Sequence, residues 1–317
     1  MNTHRTALST RLIAVVAMAF MLFPLLTVIP VSFTAKRYLS MPDGHWSLRH
    51  YEALLSNPDW LSSIGQSLAI ASATSLIATL LAVSFSLGIW YLRSRLATLL
   101  IGLVLLPMAI PPVISALVLY FMETNLGRIA PGWGYDTLPG VVIAHVVMVV
   151  PYGVVTMLVA LSQVDRRIEL ASRNLGASLM QTTFLVMLPN LKLGIFSTAL
   201  LSFALSWEEV AVTLFITSVD VNTLPRRIWS GLRDNVDPSV AAISVLLICL
   251  TLLVLMGRLA LQYAAQRRAR SSRPVARELA PSPQRFVDCL GYLLTPSEEG
   301  RAIIAVPATV YCRTQMY

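Results

Sequence analysis

The sequence has little charge and little cysteine. Charged residues make up 13% of the 317 residues and hydrophobic residues 56%, whereas soluble globular proteins average about 25% and about 45–50%. A chain of this composition cannot bury its apolar surface in a soluble core, so it is typical of a polytopic membrane protein. The three cysteines, Cys249, Cys289 and Cys312, show no paired spacing. The sequence therefore supports neither a disulfide framework nor a zinc site.

Lysine is also scarce, and its positions exclude an ATP site. A phosphate-binding P-loop needs Gly-Lys-Ser/Thr, but the only lysines, Lys36 and Lys192, follow Ala35 and Leu191. The sequence also has no Gly-x-Ser-x-Gly elbow and no His/Cys cluster, so we expect no enzymatic activity, no cofactor and no metal. The net charge of +8 does not indicate nucleic acid, because no Lys/Arg run is interleaved with aromatic residues.

Six long runs with few charges predict six membrane spans. The first, residues 12–35, could be a cleaved signal peptide, but it is long enough to span, contains two prolines and has no small-residue cleavage site. The third contains Pro107, Pro111 and Pro112, which predict a kink in a helix packed within a bundle. The second to sixth predicted spans cover, in order, residues 61–92, 96–122, 139–161, 193–219 and 238–257.

Two polar connections between these runs carry structural signals. Ser47 can cap a short amphipathic helix that ends near Leu55, although a plain surface loop fits the pattern equally well. Residues 123–138 are rich in glycine and proline, which predicts a loop with tight turns.

Arginine is distributed unevenly between the two ends of the predicted spans. The side that includes Arg93 and Arg166 carries more arginine than the side that includes Arg226. Short cytoplasmic loops of membrane proteins are enriched in Lys and Arg. We therefore expect both termini and the polar segment 163–190 to lie in the cytoplasm.

The segment 163–190 is the longest polar interruption with the signals of a folded element. Asp165 can cap a helix that ends at Gly176, a residue suited to the left-handed conformation at a helix C-terminus. A second short helix, residues 178–187, should stop before Pro189, because a residue that precedes proline disfavours the helical region. A helical hairpin of this kind, held between two spans, is suited to binding another protein.

This hairpin resembles the EAA loop of the permease subunits of ATP-binding-cassette importers, whose pattern is E-A-A-x3-G-x9-I-x-L-P. Aligned on Gly176, the match places Ala171 at the middle alanine and Leu188-Pro189 at the final pair. The family's glutamate position holds a leucine here, and Glu169 lies one residue earlier, about 100° around a helix; whether Glu169 replaces the family glutamate is left open. The resemblance implies that the ATPase-coupling residues are Glu169, Ala171, Gly176, Ala177, Leu188 and Pro189.

A second segment resembles one branch of this family. Ser206-Trp207-Glu208-Glu209-Val210 is similar to the SFDEV segment of the spermidine/putrescine-type permeases, and the resemblance extends over about residues 12–266. It makes Trp207, Glu208 and Glu209 candidates for the translocation pathway, with a purely structural role of both carboxylates as the alternative. His145, a lone histidine in the fourth span, is another candidate, although hydrogen bonding to a neighbouring helix is the favoured interpretation. Related branches carry iron, thiamine or phosphonates, so the sequence leaves the solute open.

The resemblance implies an all-α integral membrane protein of six transmembrane helices, a type I importer bundle with a cytoplasmic coupling hairpin. The expected organisation is a cytoplasmic N-terminus at 1–11, a permease domain at 12–262 that includes the hairpin 163–190, and a poorly ordered cytoplasmic tail at 263–317. The implied partners are two cytoplasmic ATP-binding subunits, a second permease subunit, an external substrate-binding protein and membrane lipid, in the inner (plasma) membrane of a bacterium. The rival class is an ion-coupled secondary transporter or channel with Glu208 and Glu209 as a relay. Inverted repeats would favour that class, and the sequence shows no convincing internal repeat.

Overall fold

The computed structural model describes residues 8–92, 95–235 and 237–271, and these are almost entirely helical. In the described part of the chain the one extended pairing is an isolated antiparallel bridge between Thr34 and Trp46. The predicted tail beyond Ser271 lies outside the described residues. The helices are α1 Leu8–Ser32, α2 Arg49–Ser56, α3 Pro58–Tyr91, α4 Arg95–Leu105, α5 Pro112–Ile129, α6 Leu138–Ser162, α7 Arg166–Asn174, α8 Leu179–Gln181, α9 Leu188–Asn190, α10 Lys192–Trp207, α11 Ala211–Ile216, α12 Leu224–Ser230 and α13 Ser239–Ser271. A 3₁₀ segment, Leu106–Ala109, follows α4, and π-helical segments occupy Thr182–Met187 and Gly231–Asn235.

The chain divides into two compact units, residues 1–245 and 246–317. The first unit contains α1 to α12 and the beginning of α13. Within the second unit, the described residues form the continuation of α13 as far as Ser271. The candidate site described below belongs entirely to the first unit.

The apolar segments of the described residues are consistent with six predicted spans. Three unbroken stretches are long and apolar enough to cross a membrane: Thr10–Ser32, Pro58–Tyr91 and Leu138–Ser162. Two further candidates are bent pairs, Leu96–Ala109 with Pro112–Ile129 at 102° and Leu179–Asn190 with Lys192–Trp207 at 70°. The sixth apolar segment, Ser239–Leu253, is shorter.

The third predicted span is broken rather than kinked. Ile110 and Pro111 have extended backbone, with ψ of 131° and 134°, because each precedes a proline and is pushed out of the helical region. The chain therefore turns by 102° between α4 with its 3₁₀ extension and α5. The prediction of a loop from Glu123 was also wrong at its start, since α5 continues to Ile129.

The centre of the first unit is formed by α3, α6 and α10, which pack against one another. Small side chains make this approach possible: Ala71, Ala78 and Ala82 of α3 are fully buried. A Cβ atom at Gly153 of α6 would lie 3.1 Å from Ala82 Cβ and 3.3 Å from Thr198 Cγ2 of α10. Membrane helices associate through such small residues, because close contact maximises van der Waals attraction between them.

The short helix predicted near Ser47 is confirmed, with a later start. It begins at Arg49, and the Ser47 hydroxyl accepts a hydrogen bond from the Arg49 backbone N–H at 3.2 Å. Tyr51 Oη lies 2.7 Å from Ser32 Oγ at the end of α1. This contact ties α2 to the first span.

Candidate functional site

The first arm of the hairpin has the predicted caps. The Asp165 carboxylate accepts the Arg167 backbone N–H at 2.9 Å at the start of α7. At the other end Gly176 has φ of +87°, and the Gly176 and Ala177 N–H groups donate to the carbonyls of Arg173 and Ser172 at 3.0 and 3.2 Å. This pair of bonds is a Schellman motif, which requires a left-handed residue where glycine is favoured. The prediction of a helix that ends at Gly176 is confirmed.

The second arm differs from its prediction at the proline. It begins with a capping box, because Ser178 and Gln181 exchange backbone-to-side-chain hydrogen bonds of 3.2 and 2.8 Å. The helix does not stop before Pro189 but continues through it to Asn190. An α-helix would bring the proline ring against the carbonyl four residues earlier. The π-helical segment Thr182–Met187 lies directly before this point and widens the turn.

The structure separates the predicted coupling residues into an exposed set and a buried one. Ala171, Gly176 and Pro189 are exposed, and Ala177 and Leu188 are half-buried. Glu169, in contrast, is 3% exposed. Its Oε2 accepts the indole N–H of Trp90 in α3 at 2.8 Å, and its Oε1 lies 4.0 Å from the Arg173 guanidinium. The Glu169 carboxylate is therefore directed at its own chain rather than away from it.

The hairpin also carries exposed hydrophobic side chains that the motif comparison did not single out. Leu175, beside the glycine cap, is 89% exposed, and Met180 and Leu185 of the second arm are 68% and 73% exposed. Leu170, at the family's glutamate position, is 47% exposed. Leu170, beside Glu169 and Ala171, and Leu175, beside Gly176, could have indicated this surface from the sequence.

The fifth predicted span is interrupted at its pair of carboxylates. The helix α10 ends at Trp207, and α11 begins at Ala211. The sequence predicted one span over residues 193–219, and the structure instead divides it into two helices with Glu208 and Glu209 between them. The sequence between the helices contains neither proline nor glycine, so the usual signals of a helix break are missing there.

The two carboxylates have different surroundings at this break. Glu209 Oε1 accepts the Val212 backbone N–H at 2.9 Å, and the Glu209 carbonyl accepts the Thr213 hydroxyl at 3.1 Å. Glu209 thus satisfies an otherwise free donor at the start of α11. Glu208 is exposed, and its carboxylate has no hydrogen bond or ion pair within the described ranges. Trp207, before it, is half-buried and stacks on Phe203 with ring centroids 5.9 Å apart.

His145 joins α6 to both sides of the break. Its Nδ1 lies 2.8 Å from Ser206 Oγ in α10, and its Nε2 lies 3.2 Å from Thr213 Oγ1 in α11. A neutral imidazole can donate from one nitrogen and accept at the other. The favoured interpretation of this histidine, hydrogen bonding to a neighbouring helix, is confirmed.

Asp136 has a structural role that the sequence did not indicate. It precedes α6 with φ of +58°, and its two carboxylate oxygens accept backbone N–H groups at 2.8 to 3.1 Å from Ser218, Val219, Asp220 and Val221. Burial alone would raise the pKa of Asp136, but these four donors outweigh it and hold the pKa below its usual value. Asp136 therefore fixes the loop 217–223 between α11 and α12.

These features are those of a helical, multi-span membrane permease subunit with a helical hairpin between α6 and α10. Residues 80–270 match the family of binding-protein-dependent transport system inner membrane components, and the chain belongs to this family. The hairpin and the break in the fifth span both lie within the matched residues. The resemblance of the chain to this family is thereby confirmed, and with it a multi-pass permease of the inner membrane.

Relatives with named functions include permeases for different solutes. The chain is 29% identical over 238 residues to the putrescine transport system permease protein PotI of Escherichia coli (strain K12), which covers 74% of this chain and 84% of PotI. It is 28% identical over 246 residues to the spermidine/putrescine transport system permease protein PotC of Haemophilus influenzae, with coverages of 77% and 93%. It is 33% identical over 185 residues to a probable molybdenum ABC transporter permease protein of Haloferax volcanii, with coverages of 56% and 68%.

A solved structure shows the same fold. A chain of a bacterial ABC transporter involved in the import of the acidic polysaccharide alginate matches with a TM-score of 0.63 at 13% identity. The match covers 82% of this chain and 94% of that chain. The predicted all-α permease fold is confirmed by this likeness and by the family match.

Proposed function

We propose that this chain forms half of the translocation pathway of an ATP-driven importer for a polyamine-type solute. Its partners in this proposal are a second permease subunit, two ATP-binding subunits in the cytoplasm and an external substrate-binding protein. The family match favours an importer over the rival ion-coupled transporter or channel. The polyamine permeases among the relatives favour a cationic solute.

The break between α10 and α11 is the observation that carries the proposal. The C-terminal end of a helix has a partial negative charge, and Glu208 follows the last residue of α10 directly. The ends of broken membrane helices bind ions and charged substrates in many transporters. An unpaired carboxylate at such an end attracts an ammonium group and repels an anion, which favours a polyamine over an oxyanion.

Glu209 has a separate role in the proposal. Its carboxylate caps α11 through Val212, so it holds the second half of the fifth span in place and leaves Glu208 for the solute. Trp207 and Phe203 form an aromatic surface beside the same break. Such a surface suits the apolar methylene chain between the amino groups of a polyamine, and the face of a tryptophan also attracts a cation.

The exposed face of the hairpin is the proposed contact with the ATP-binding subunits. It combines Ala171, Gly176 and Pro189 with the exposed side chains of Leu175 and Leu185. Apolar side chains of this size at a membrane surface are suited to a protein contact that excludes water. Glu169 supports this surface from within, since its carboxylate is bonded to Trp90.

Uptake of labelled putrescine by Glu208→Gln and Glu209→Gln variants tests the assignment. Loss of a charge that pairs with the solute should lower uptake by Glu208→Gln at least about tenfold. Glu209→Gln should transport at a nearly normal rate, because the amide oxygen of glutamine can still accept the Val212 N–H. Both complexes should contain normal amounts of all subunits.

Two results would remove the physical support for a polyamine. One is normal uptake by both variants, which would mean that neither charge serves the solute. The other is a defect confined to Glu209→Gln. Inhibition of labelled putrescine uptake by an oxyanion and not by spermidine would likewise contradict a cationic solute.

A further inference from the structure

Both arms of the hairpin are bonded to two consecutive residues at the end of α3. Trp90 donates its indole N–H to Glu169 of the first arm at 2.8 Å. Tyr91 Oη lies 2.9 Å from Thr183 Oγ1 of the second arm. The hairpin is linked covalently to α6 and α10, so these bonds add a third span, from a distant part of the sequence, to its supports.

The hydrogen bond from Trp90 is stronger than the one from Tyr91, because it is made to a buried carboxylate whereas Tyr91 bonds to a neutral hydroxyl. Glu169 is 3% exposed, and a hydrogen bond to a carboxylate is about twice as strong as one between neutral groups. The guanidinium of Arg166, at the start of α7, lies 4.8 Å from the centroid of the Trp90 ring. The first arm thus holds the tryptophan from its edge and from its face.

The opposite end of α3 is bonded to the segment that follows α11. Gln66 Oε1 accepts the Asn222 N–H at 2.8 Å, and Ser67 Oγ accepts the Leu224 N–H at 2.7 Å. Asp136 holds the preceding residues of the same loop 217–223 through four backbone donors, as described above. The loop is therefore held by Gln66 of α3 and by Asp136, the residue before the cap of α6.

The helix between these two ends is continuous. It has 34 residues, with its proline in the first position, so it is about 50 Å long. In contrast, the α4–α5 and α9–α10 pairs are bent by 102° and 70°. A regular helix bonded at both ends can transmit a displacement, whereas a broken one can absorb it at the break.

We propose that Trp90 and Glu169 are positioning residues that couple the hairpin to the loop 217–223 through α3. A movement imposed on the hairpin displaces the Trp90 end of α3. Gln66 carries the displacement to Asn222 in the loop, and Ser67 carries it to Leu224, the residue that directly follows the loop. The inference rests on the proposed docking of ATP-binding subunits at the hairpin. It does not depend on the identity of the solute.

The test measures the accessibility of the loop while the nucleotide is changed at the other end. Val219 is 84% exposed, and Val219→Cys serves as the reporter in a chain whose three native cysteines are replaced by serine. The complex is copurified with its subunits, reconstituted in liposomes and labelled with a membrane-impermeant maleimide, with and without the non-hydrolysable ATP analogue AMP-PNP. We expect the nucleotide to change the labelling rate, and Trp90→Phe to reduce this change at least about fivefold.

Control variants separate coupling from folding. Trp46→Phe makes the same chemical change at a tryptophan that is 65% exposed and packs on Phe33, and it should leave the response unchanged. Glu169→Leu should reduce the labelling response as much as Trp90→Phe does. The double variant should reduce it no further, because the two single variants and the double variant all lose the same Trp90–Glu169 hydrogen bond. Copurified ATP-binding subunits should stay at the normal level in every variant.

Three results would overturn the proposal. The first is a normal nucleotide response in Trp90→Phe. The second is an additive loss in the double variant, which would show that the two residues act separately. The third is the absence of any response in the parent chain, which would contradict the proposed importer function together with the coupling.

Discussion

Glu208 and Glu209 are neighbours in the chain, yet their carboxylates meet different surroundings. Glu209 reaches a backbone donor of α11, as Glu169 reaches the indole of Trp90 and Asp136 reaches four N–H groups. Each of these three acids satisfies donors of its own chain and thereby stabilises a local structure. Glu208 reaches none within the described residues, so its charge is available to a solute or a partner.

At this scale, Asp136→Asn should destabilise the protein. One oxygen of the aspartate accepts Ser218 and Val221, and the other accepts Val219 and Asp220. Asparagine tolerates the left-handed backbone of this position, but its NH₂ group would face two N–H donors. We expect a loss of about 1–2 kcal/mol, measured as a lower melting temperature of the purified protein in detergent. An unchanged melting temperature would show that these four bonds contribute little.

The same residue predicts a dependence on pH. The pKa of Asp136 is held below its ordinary value of 3.8, so its folded state favours the charged form. The stabilisation is therefore complete at neutral pH and is lost only as the pH falls below that value towards the folded-state pKa. Asp136→Asn should remove this part of the acid sensitivity, and a melting curve that falls equally in both proteins would contradict the assignment.

Single residues also show where sequence reasoning succeeds and where it stops. Gly176 could be assigned a left-handed cap because glycine is the residue that most often ends a helix in this conformation. The direction of Glu169 could not be predicted, since it depends on Trp90, which is 79 residues away in the sequence. The Asp136 contacts are equally remote and follow no local pattern.

At the scale of elements, the apolar runs of the sequence predicted where the helices lie, but they did not predict where the helices are interrupted. The prolines near Ile110 indicated a disturbance of the third span, and the residues before Pro111 and Pro112 are extended, but the sequence did not predict the size of the bend, 102°. The break after Trp207 has no proline or glycine to signal it, and it is stabilised by Glu209 and by His145 from another helix. Local sequence rules detect backbone restrictions and do not detect such tertiary support.

The hairpin supplies the prediction at this scale. Gly176→Asp should abolish uptake while the protein remains in the membrane. A Cβ atom at this position costs on the order of 1 kcal/mol because φ is positive, but apart from its two neighbours in the sequence no atom of the described residues lies within 4 Å of it. A total loss of uptake would therefore report a clash with the docked ATP-binding subunit. Gly176→Ala, with the same backbone strain and little bulk, should retain most of the activity.

Measurement of uptake and of copurified ATP-binding subunits distinguishes the outcomes. Gly176→Asp should have less of these subunits, whereas Gly176→Ala should have normal amounts. Normal uptake and normal association in Gly176→Asp would remove the hairpin from the contact surface.

For the whole molecule, the arginine distribution predicts that the two ends of α3 face opposite sides of the membrane. Cysteines introduced at Ser172 in the hairpin and at Asn222 in the loop 217–223 should label from opposite sides of sealed vesicles. The hairpin cysteine should react only from the cytoplasmic side. Labelling of both positions from one side would be incompatible with six spans and with α3 as a link across the membrane.

The most direct test of the account is the energy source of uptake by the reconstituted complex. Liposomes that contain the copurified subunits are loaded with ATP or with AMP-PNP and supplied with the external binding protein and labelled putrescine, in the presence and absence of an ionophore. Because this sequence has no P-loop and the chain belongs to a binding-protein-dependent family, uptake should require ATP and the binding protein and should persist with the ionophore. Uptake that proceeds without ATP and stops with the ionophore would contradict the account.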